Sequence, residues 1–265
     1  MKIYPLNIPG VTTTLAMYLH PENDKCVSKQ IREQGIWEPY ETSLIVDYLG
    51  NGGVFLDIGA NIGYYTVLAA SIVGREGLVV AFEPDNDNFA LLEQNLALNH
   101  MTNVRPICAA VSGHRGRGFL YRSTDNSGDH QLYDNGEGRS RMAADVVHGG
   151  DYVRSITRRV DFIKIDTQGS ETGIVNGLSR IILSNREHLT MIVELWPYGL
   201  RKAGSSGHAL LDMLADFDMP LYLIDHIGHR IYKVDRSCLD AWVAEVDADP
   251  ANRGFVNLLI LPAGE

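Results

Sequence analysis

The sequence predicts an α/β fold in which a doubly wound, mostly parallel sheet ends in an antiparallel edge. Three observations predict it. Short apolar stretches alternate with helical ones from Val54 onward. A turn bearing Gly59 and Gly63 joins the first apolar stretch to its helix. The late strand-like segments have no full helical crossover between the first two of them.

The elements follow in order. The first 50 or so residues carry many turn and breaker signals, apart from a helix over Thr42 to Leu49 with Leu44, Ile45, Tyr48 and Leu49 at helical spacing. Val54 to Ile58 reads as a buried strand, Gly63 to Ile72 as a helix and Leu78 to Phe82 as a second strand. Asn86 to Asn99 is an amphipathic helix, and Val104 to Cys108 is a third strand. The stretch Ser112 to Gly150 is rich in Gly, Ser, Asp, Asn and Arg and predicts a hairpin or mobile loops. Alternation resumes with Phe162 to Ile165 (strand), Glu171 to Leu183 (helix), Thr190 to Leu195 (strand) and His208 to Phe217 (helix). Leu221 to Ile224, Arg230 to Val234 and Val256 to Leu261 are the late strands. The organisation expected is a helical or irregular cover over residues 1–50 and one domain over residues 51–265, with a loop insertion at 112–150.

Composition narrows the function. A chain of 265 residues with 45% apolar content can bury a sizeable core. Its net charge of -10, from 23 basic and 33 acidic residues, disfavours nucleic acid, whose phosphates call for clustered Lys and Arg. Cys26, Cys108 and Cys238 are scattered and form no CxxC pair, which fits a reducing cytoplasm. No apolar run approaches the ~20 residues of a membrane span, so no membrane partner is expected.

The strongest local signal is Val54-Phe-Leu-Asp-Ile-Gly-Ala-Asn-Ile-Gly-Tyr-Tyr-Thr66. Glycines let the backbone turn sharply and approach a ligand, and a helix N-terminus offers free N–H groups to an anion. The spacing is G-x-x-x-G rather than the G-x-G-x-x-G of dinucleotide sites; a plain structural turn is the alternative. The next strand ends in Phe82-Glu83-Pro84-Asp85, about 20 residues on, where an open α/β sheet sets a carboxylate against ribose hydroxyls. A helix-capping acid is the other reading of Glu83.

Asp57-Ile-Gly-Ala-Asn-Ile-Gly63, Phe82-Glu-Pro84, Asn95-Leu-Ala-Leu-Asn99 and Phe162-Ile-Lys-Ile-Asp-Thr-Gln-Gly-Ser-Glu171 together resemble the FkbM family of methyltransferases, as does the upstream Trp37-Glu-Pro-Tyr-Glu-Thr42. The resemblance covers roughly residues 35 to 195. It implies a class I methyltransferase-like (Rossmann-like) fold and S-adenosylmethionine as methyl donor. It assigns to the cofactor Asp57, Gly59, Ala60, Asn61, Gly63, Tyr64 and Thr66 around the first turn, Glu83 and Pro84 at the ribose, and Cys108, Ala109 and Ala110 beside the adenine. Family substrates are commonly hydroxyls of sugars and other natural-product intermediates. The family usually reads Asp-Val-Glu-Gly where this chain has Asp166-Thr-Gln168-Gly, which removes a charge.

Methyl transfer to a hydroxyl needs an aligned acceptor and a home for its proton. Asp166 and Glu194 end neighbouring strands, where they are expected to hold a divalent cation such as Mg²⁺ or to act as base and orienter. The alternative for Asp166 is a cap for the helix entering at Ser170, and Glu171 reads as a first-turn acid complementing the helix dipole. His226, with His229 nearby, is a candidate general base or a surface residue. The basic pieces Arg115 to Arg122 and Arg139 to Arg141 are either an anion site or solvated loop charges. The reading is a small-molecule O-methyltransferase; the rivals are an N-methyltransferase, whose Asn/Asp-Pro-Pro-Tyr motif is absent, and a non-catalytic cofactor-binding module.

Overall fold

The computed structural model describes residues 2–21 and 24–264. The chain opens with a two-stranded ribbon, β1 (Tyr4–Pro5) and β2 (Ala16–Met17), followed by α1 (Val27–Gln34) and α2 (Pro39–Tyr48). Next come β3 (Val54–Ile58), α3 (Tyr64–Val73), β4 (Leu78–Phe82), α4 (Asn86–Leu98) and β5 (Val104–Ile107). β6 (Ala110–Ser112), β7 (Gly116–Arg122) and β8 (Ser140–His148) form a separate sheet that leads into α5 (Gly149–Ile156). The remainder is β9 (Phe162–Ile165), α6 (Glu171–Asn185), β10 (Thr190–Leu195), α7 (Pro197–Lys202), α8 (Gly207–Ala215), β11 (Leu221–Asp225), β12 (Arg230–Lys233), α9 (Arg236–Ala248) and β13 (Val256–Ile260).

The main sheet runs β12-β11-β13-β10-β9-β3-β4-β5. From β5 to β10 all pairs are parallel; β13 is antiparallel to β10 and β11, and β12 is antiparallel to β11. This is the doubly wound, class I methyltransferase-like sheet with an antiparallel edge that the sequence predicts. The order reverses between β3 and β9, the place where such sheets bind ligands.

Two apolar layers sandwich the sheet. Phe55, Val79, Ala81 and Phe162 pack toward α3 and α4, while Leu56, Val80, Phe82, Ile163 and Ile165 pack toward α6 and α8. The first layer also carries a row of polar residues. Asp57 pairs in register with Lys164, and Glu194 with Asn257, on the face that meets α2 and α3. Each is an isolated polar residue within an otherwise apolar strand, and all are buried.

The N-terminal segment is held by two asparagines of the α4 region. Asn95 accepts the Tyr18 N–H (2.6 Å) and donates to the Tyr18 and Ile62 carbonyls (3.1 and 2.8 Å). Asn99 does the same with both backbone groups of Ala16 (2.9 and 2.7 Å).

The structure adds helices that the periodicity did not suggest. α1 is short, and its first N–H groups are satisfied by the Asp24 carboxylate, which accepts from Cys26 and Ser28. α9 buries only Leu239, Val243 and Val246, a stripe hidden among acids. The insertion is an ordered hairpin, β7 pairing with β8 from Gly116↔Val146 to Arg122↔Ser140. Four of its arginines meet the protein's own carboxylates, Arg115 on Asp151, Arg117 on Asp145, Arg122 on Asp85 and Asp87, and Arg139 on Asp129 and Glu137, while Arg141 lies over the Phe119 ring.

Candidate active site

A cavity of about 410 Å³ opens at the carboxyl ends of β3, β4, β9 and β10. Gly59 sits at its base with φ +88°; a Cβ there would lie 2.0 Å from the Asp166 carbonyl oxygen. Only glycine permits both the left-handed backbone and that approach. The turn after β3 and the turn after β9 therefore touch.

Glu83 lines the same cavity at the end of β4. Its Oε2 accepts the Asn61 N–H and its Oε1 the Asp85 N–H, each at 2.8 Å. These bonds fix the carboxylate and leave further lone pairs for a diol. Burial pushes Glu83 up to about 7, against the pull of those N–H donors. It is not the cap of α4: Asp85 is, accepting from the Asp87 and Asn88 N–H groups. Gly59, Ala60, Asn61, Tyr64, Pro84, Ala109 and Ala110 also line the cavity.

Four residues assigned to the cofactor are not at its wall. Asp57 is turned inward, accepting the Thr66 hydroxyl at 2.6 Å, so both are occupied inside the β3–α3 packing. Gly63 faces Leu92, whose Cγ would lie 3.1 Å from a Cβ. Cys108 is exposed, and its thiol donates to Asn86.

At the other end, Glu38, Lys164, Asp166, Gln168 and Glu194 converge. The Lys164 ammonium, 4% exposed, lies 3.0 Å from Asp166 and 3.3 Å from Glu41. Burial pulls Lys164 down, but Asp166, Glu41, Glu38 and Asp57 outweigh it and hold it well above the ordinary lysine value. The Gln168 amide donates to Asp166 Oδ1 and to Glu194 Oε2, each at 3.0 Å. Gln168 adopts a left-handed backbone, φ +57°, which turns its amide between the two acids. Burial raises Glu194 well above the usual carboxylate range, with Asp166 and Glu171 adding to it.

This arrangement does not suit the metal expectation. Asp166 and Glu194 do converge, but Gln168 N–H groups fill the space between them and Lys164 neutralises one of them. A hard cation needs open oxygen ligands there, and among the described residues no group of three or more His, Cys, Asp and Glu is arranged to hold a metal. Nor is Asp166 a helix cap. Nor is Glu171, which holds the turn before α6, accepting the N–H groups of Thr167 and Gly169 at 3.2 and 3.0 Å.

His226 is also corrected. It lies on the turn between β11 and β12, away from the cavity wall, where its Nε2 faces the Asn257 amide at 3.2 Å. That amide donates to Glu41 Oε2 at 2.8 Å, and His226 Nε2 itself lies 3.9 Å from the same oxygen, so His226 touches the cluster at Glu41 rather than at the cavity. His229 stacks on Tyr40.

Sequence reasoning missed several lining residues. Trp37 and Glu38 come from the entry to α2, Asn126 to Leu132 from the loop joining β7 and β8, and Trp196, Arg253 and Phe255 from the rim. The signal for Lys164 was present: one charge inside an otherwise apolar strand.

Residues 57–218 match the family described as the methyltransferase FkbM domain. A curated protein, protein-L-isoaspartate O-methyltransferase of Caenorhabditis elegans, is 32% identical over 94 residues, which cover 34% of this chain and 42% of that protein. The chain thus spans less than half the length of that relative. The structure of the methyltransferase FkbM from Methylobacillus flagellatus KT has a TM-score of 0.48 at 17% identity, over 79% of this chain and 44% of the other. Fibrillarin of Aeropyrum pernix, in complex with natively bound S-adenosyl-L-methionine, gives 0.46 at 11% identity, over 81% and 68%.

Proposed function

The chain belongs to the FkbM methyltransferase family, and from that premise we infer that it moves the methyl group of S-adenosylmethionine to a hydroxyl of a small molecule, a sugar moiety of a natural product. The observation that carries this reading is the contact between the Gly59 turn and the Asp166 backbone, which gives the donor end and the acids one shared cavity. Apolar walls from Ile58, Phe82, Ala109 and Ala110, with Glu83 fixed at one side, suit an adenosyl group. Bound there, the cofactor supplies a methyl group on a positively charged sulfur; the acceptor oxygen gains the methyl and its proton passes to a carboxylate.

The chain's own groups do the rest. Glu83 accepts from the ribose hydroxyls. Lys164 and Gln168 hold Asp166 and Glu194 in fixed directions, so the acids are aligned before an acceptor arrives. The loop bearing Asn126 to Leu132 covers the cavity and excludes water, the role of a lid. Residues 51–265 act as one catalytic domain, residues 1–50 as its cover and residues 112–150 as the lid-bearing insertion. The net charge of -10 supports a small-molecule acceptor over nucleic acid. Free Cys26, Cys108 and Cys238 support a cytoplasmic setting, and no helix among the described residues is long and apolar enough to cross a membrane.

Calorimetry tests the reading. The protein is expected to bind S-adenosylhomocysteine, and Glu83→Ala to weaken binding by about 1.5–3 kcal/mol, the scale of hydrogen bonds to a charged group. No binding heat from the wild type, or an unchanged affinity in the variant, overturns it. Turnover, followed as S-adenosylhomocysteine released with a panel of sugars, is expected to survive exhaustive chelation, since Gln168 and Lys164 serve Asp166 and Glu194. Loss of turnover on chelation, with rescue by Mg²⁺, would restore the metal.

A further inference from the structure

Glu38 has no role in the expectations drawn from the sequence, and it lies outside the matched domain residues. It is the last residue before α2, with φ +39° and ψ +71°, a left-handed conformation in a side-chain-bearing residue that precedes a proline. Such a backbone is strained, and strain of this kind concentrates at functional sites. Its side chain lines the cavity. The Tyr65 hydroxyl donates to its Oε2 at 2.8 Å, and Oε1 has no hydrogen-bond partner among the described residues.

The charges around it do not balance. Glu41 of α2, Lys164 of β9, Asp166 beyond it and Glu194 of β10 all act on Glu38 or are acted on by it. With Asp57, five carboxyl groups meet one ammonium, and that ammonium is taken by Asp166 and Glu41. Burial first, then Glu41, pushes Glu38 up to about 8, against the pull of Lys164. Tyr65, whose ring lies 4.6 Å from the Lys164 ammonium, offers a neutral hydroxyl and no compensating charge. Acids thus outnumber the cation at the site among the described residues, and the donor in the proposed function would bring a positive charge on sulfur.

We propose that Glu38 responds to the cofactor's charge: it is a carboxylic acid in the free protein and becomes a carboxylate, releasing its proton to solvent, when a sulfonium enters the cavity. This rests on the reading of the cavity as an S-adenosylmethionine site. Its consequence for the reaction is order. Glu38 can add to the site's capacity to take a hydroxyl's proton only when the methyl donor is in place, and it keeps its proton beside the uncharged thioether product.

The test needs no acceptor. S-Adenosylmethionine and S-adenosylhomocysteine share every group except the methyl and the charge. Calorimetry of each at pH 7, in phosphate and in Tris, counts protons released on binding. Wild type is expected to release close to one proton more with S-adenosylmethionine. The affinity ratio of the two ligands should rise roughly tenfold per pH unit below 8 and level off above it. Glu38→Gln should bind both and lose the extra proton and the slope; any difference between the ligands' own amino groups persists in it. Glu194→Gln should keep both. If Glu38→Gln fails to fold, Glu38→Asp should keep the proton release with its midpoint moved. Equal proton counts for the two ligands in wild type overturn the proposal, as does a difference that survives Glu38→Gln or vanishes in Glu194→Gln. If neither ligand binds wild type, the cofactor reading itself has failed, and the two failures are thereby told apart.

Discussion

Lys164→Met is expected to destabilise the protein by about 3–5 kcal/mol, the cost of removing one partner from a buried charge cluster. Methionine nearly matches the lysine stem in volume, so the loss reports charge and not a cavity. It leaves Glu41, Asp166 and Asp57 without their only ammonium. The deficit should depend on pH in a defined direction. A carboxyl whose folded pKa is raised contributes stability that is fully present below its unfolded value and lost as pH rises through the folded one. Removing the cation takes away the pull that Lys164 exerts on Asp57 and Glu38 and raises both further, so the gap from wild type should be narrow near pH 5 and widest above pH 8. The wild type carries a milder form of the same slope. Asp57 at about 6, Glu83 at about 7 and Glu38 at about 8 are all raised first by burial, and stability should fall as pH climbs through that range. Urea unfolding at pH 5, 6.5 and 8 measures both. An equal loss at all three values would mean that Lys164 serves packing alone.

Gly59→Ala is the second large effect. The new Cβ would lie 2.0 Å from the Asp166 carbonyl oxygen and 3.2 Å from the Thr167 side chain, at φ +88°. Backbone strain of about 1–3 kcal/mol and overpacking of about 1–3 kcal/mol together give roughly 2–6 kcal/mol. Relief requires the two turns to part, so affinity for S-adenosylhomocysteine should fall as well. Gly52→Ala is the control: φ is +74°, but nothing lies within 4 Å, and its cost should be about 1–2 kcal/mol from the left-handed backbone alone. Equal melting points for the two variants would remove the contact argument, and with it the main support for one shared cavity.

The central fold was legible because its signals are local. Leu78–Phe82 is a continuous apolar run, Phe162–Ile165 and Thr190–Leu195 are apolar but for Lys164, Thr190 and Glu194, and the structure has strands with those bounds. Gly59 and Glu83 were readable for the same reason: turn chemistry and strand ends are written in adjacent residues. Asp166 and Glu194 were found by the strand-end rule, but their shared partner Gln168 was seen only as a missing charge, because a left-handed backbone that turns an amide between two acids leaves no pattern. His226 was overrated because sequence cannot tell which way a turn after an edge strand faces. Glu38, Phe255 and the loop at Asn126 reach the cavity from segments with no βα rhythm, so only the folded chain brings them there.

The bond between the Asn257 amide and the Glu41 carboxylate joins residues 216 positions apart in the chain. During synthesis the amino-terminal cover emerges first, yet it has nothing to dock on until Asn95 and Asn99 of the α4 region follow. Even then one tie on α2, the bond from Asn257 to Glu41, is missing until β13 slots between β10 and β11. Contacts of such long separation form late, after the loop-closure cost has been met by everything between them. A nascent chain halted before β13 would carry the glycine turn, Glu83 and the acids, but not the strand whose Asn257 bonds Glu41. The last strand made is thus one that ties the amino-terminal cover to the sheet.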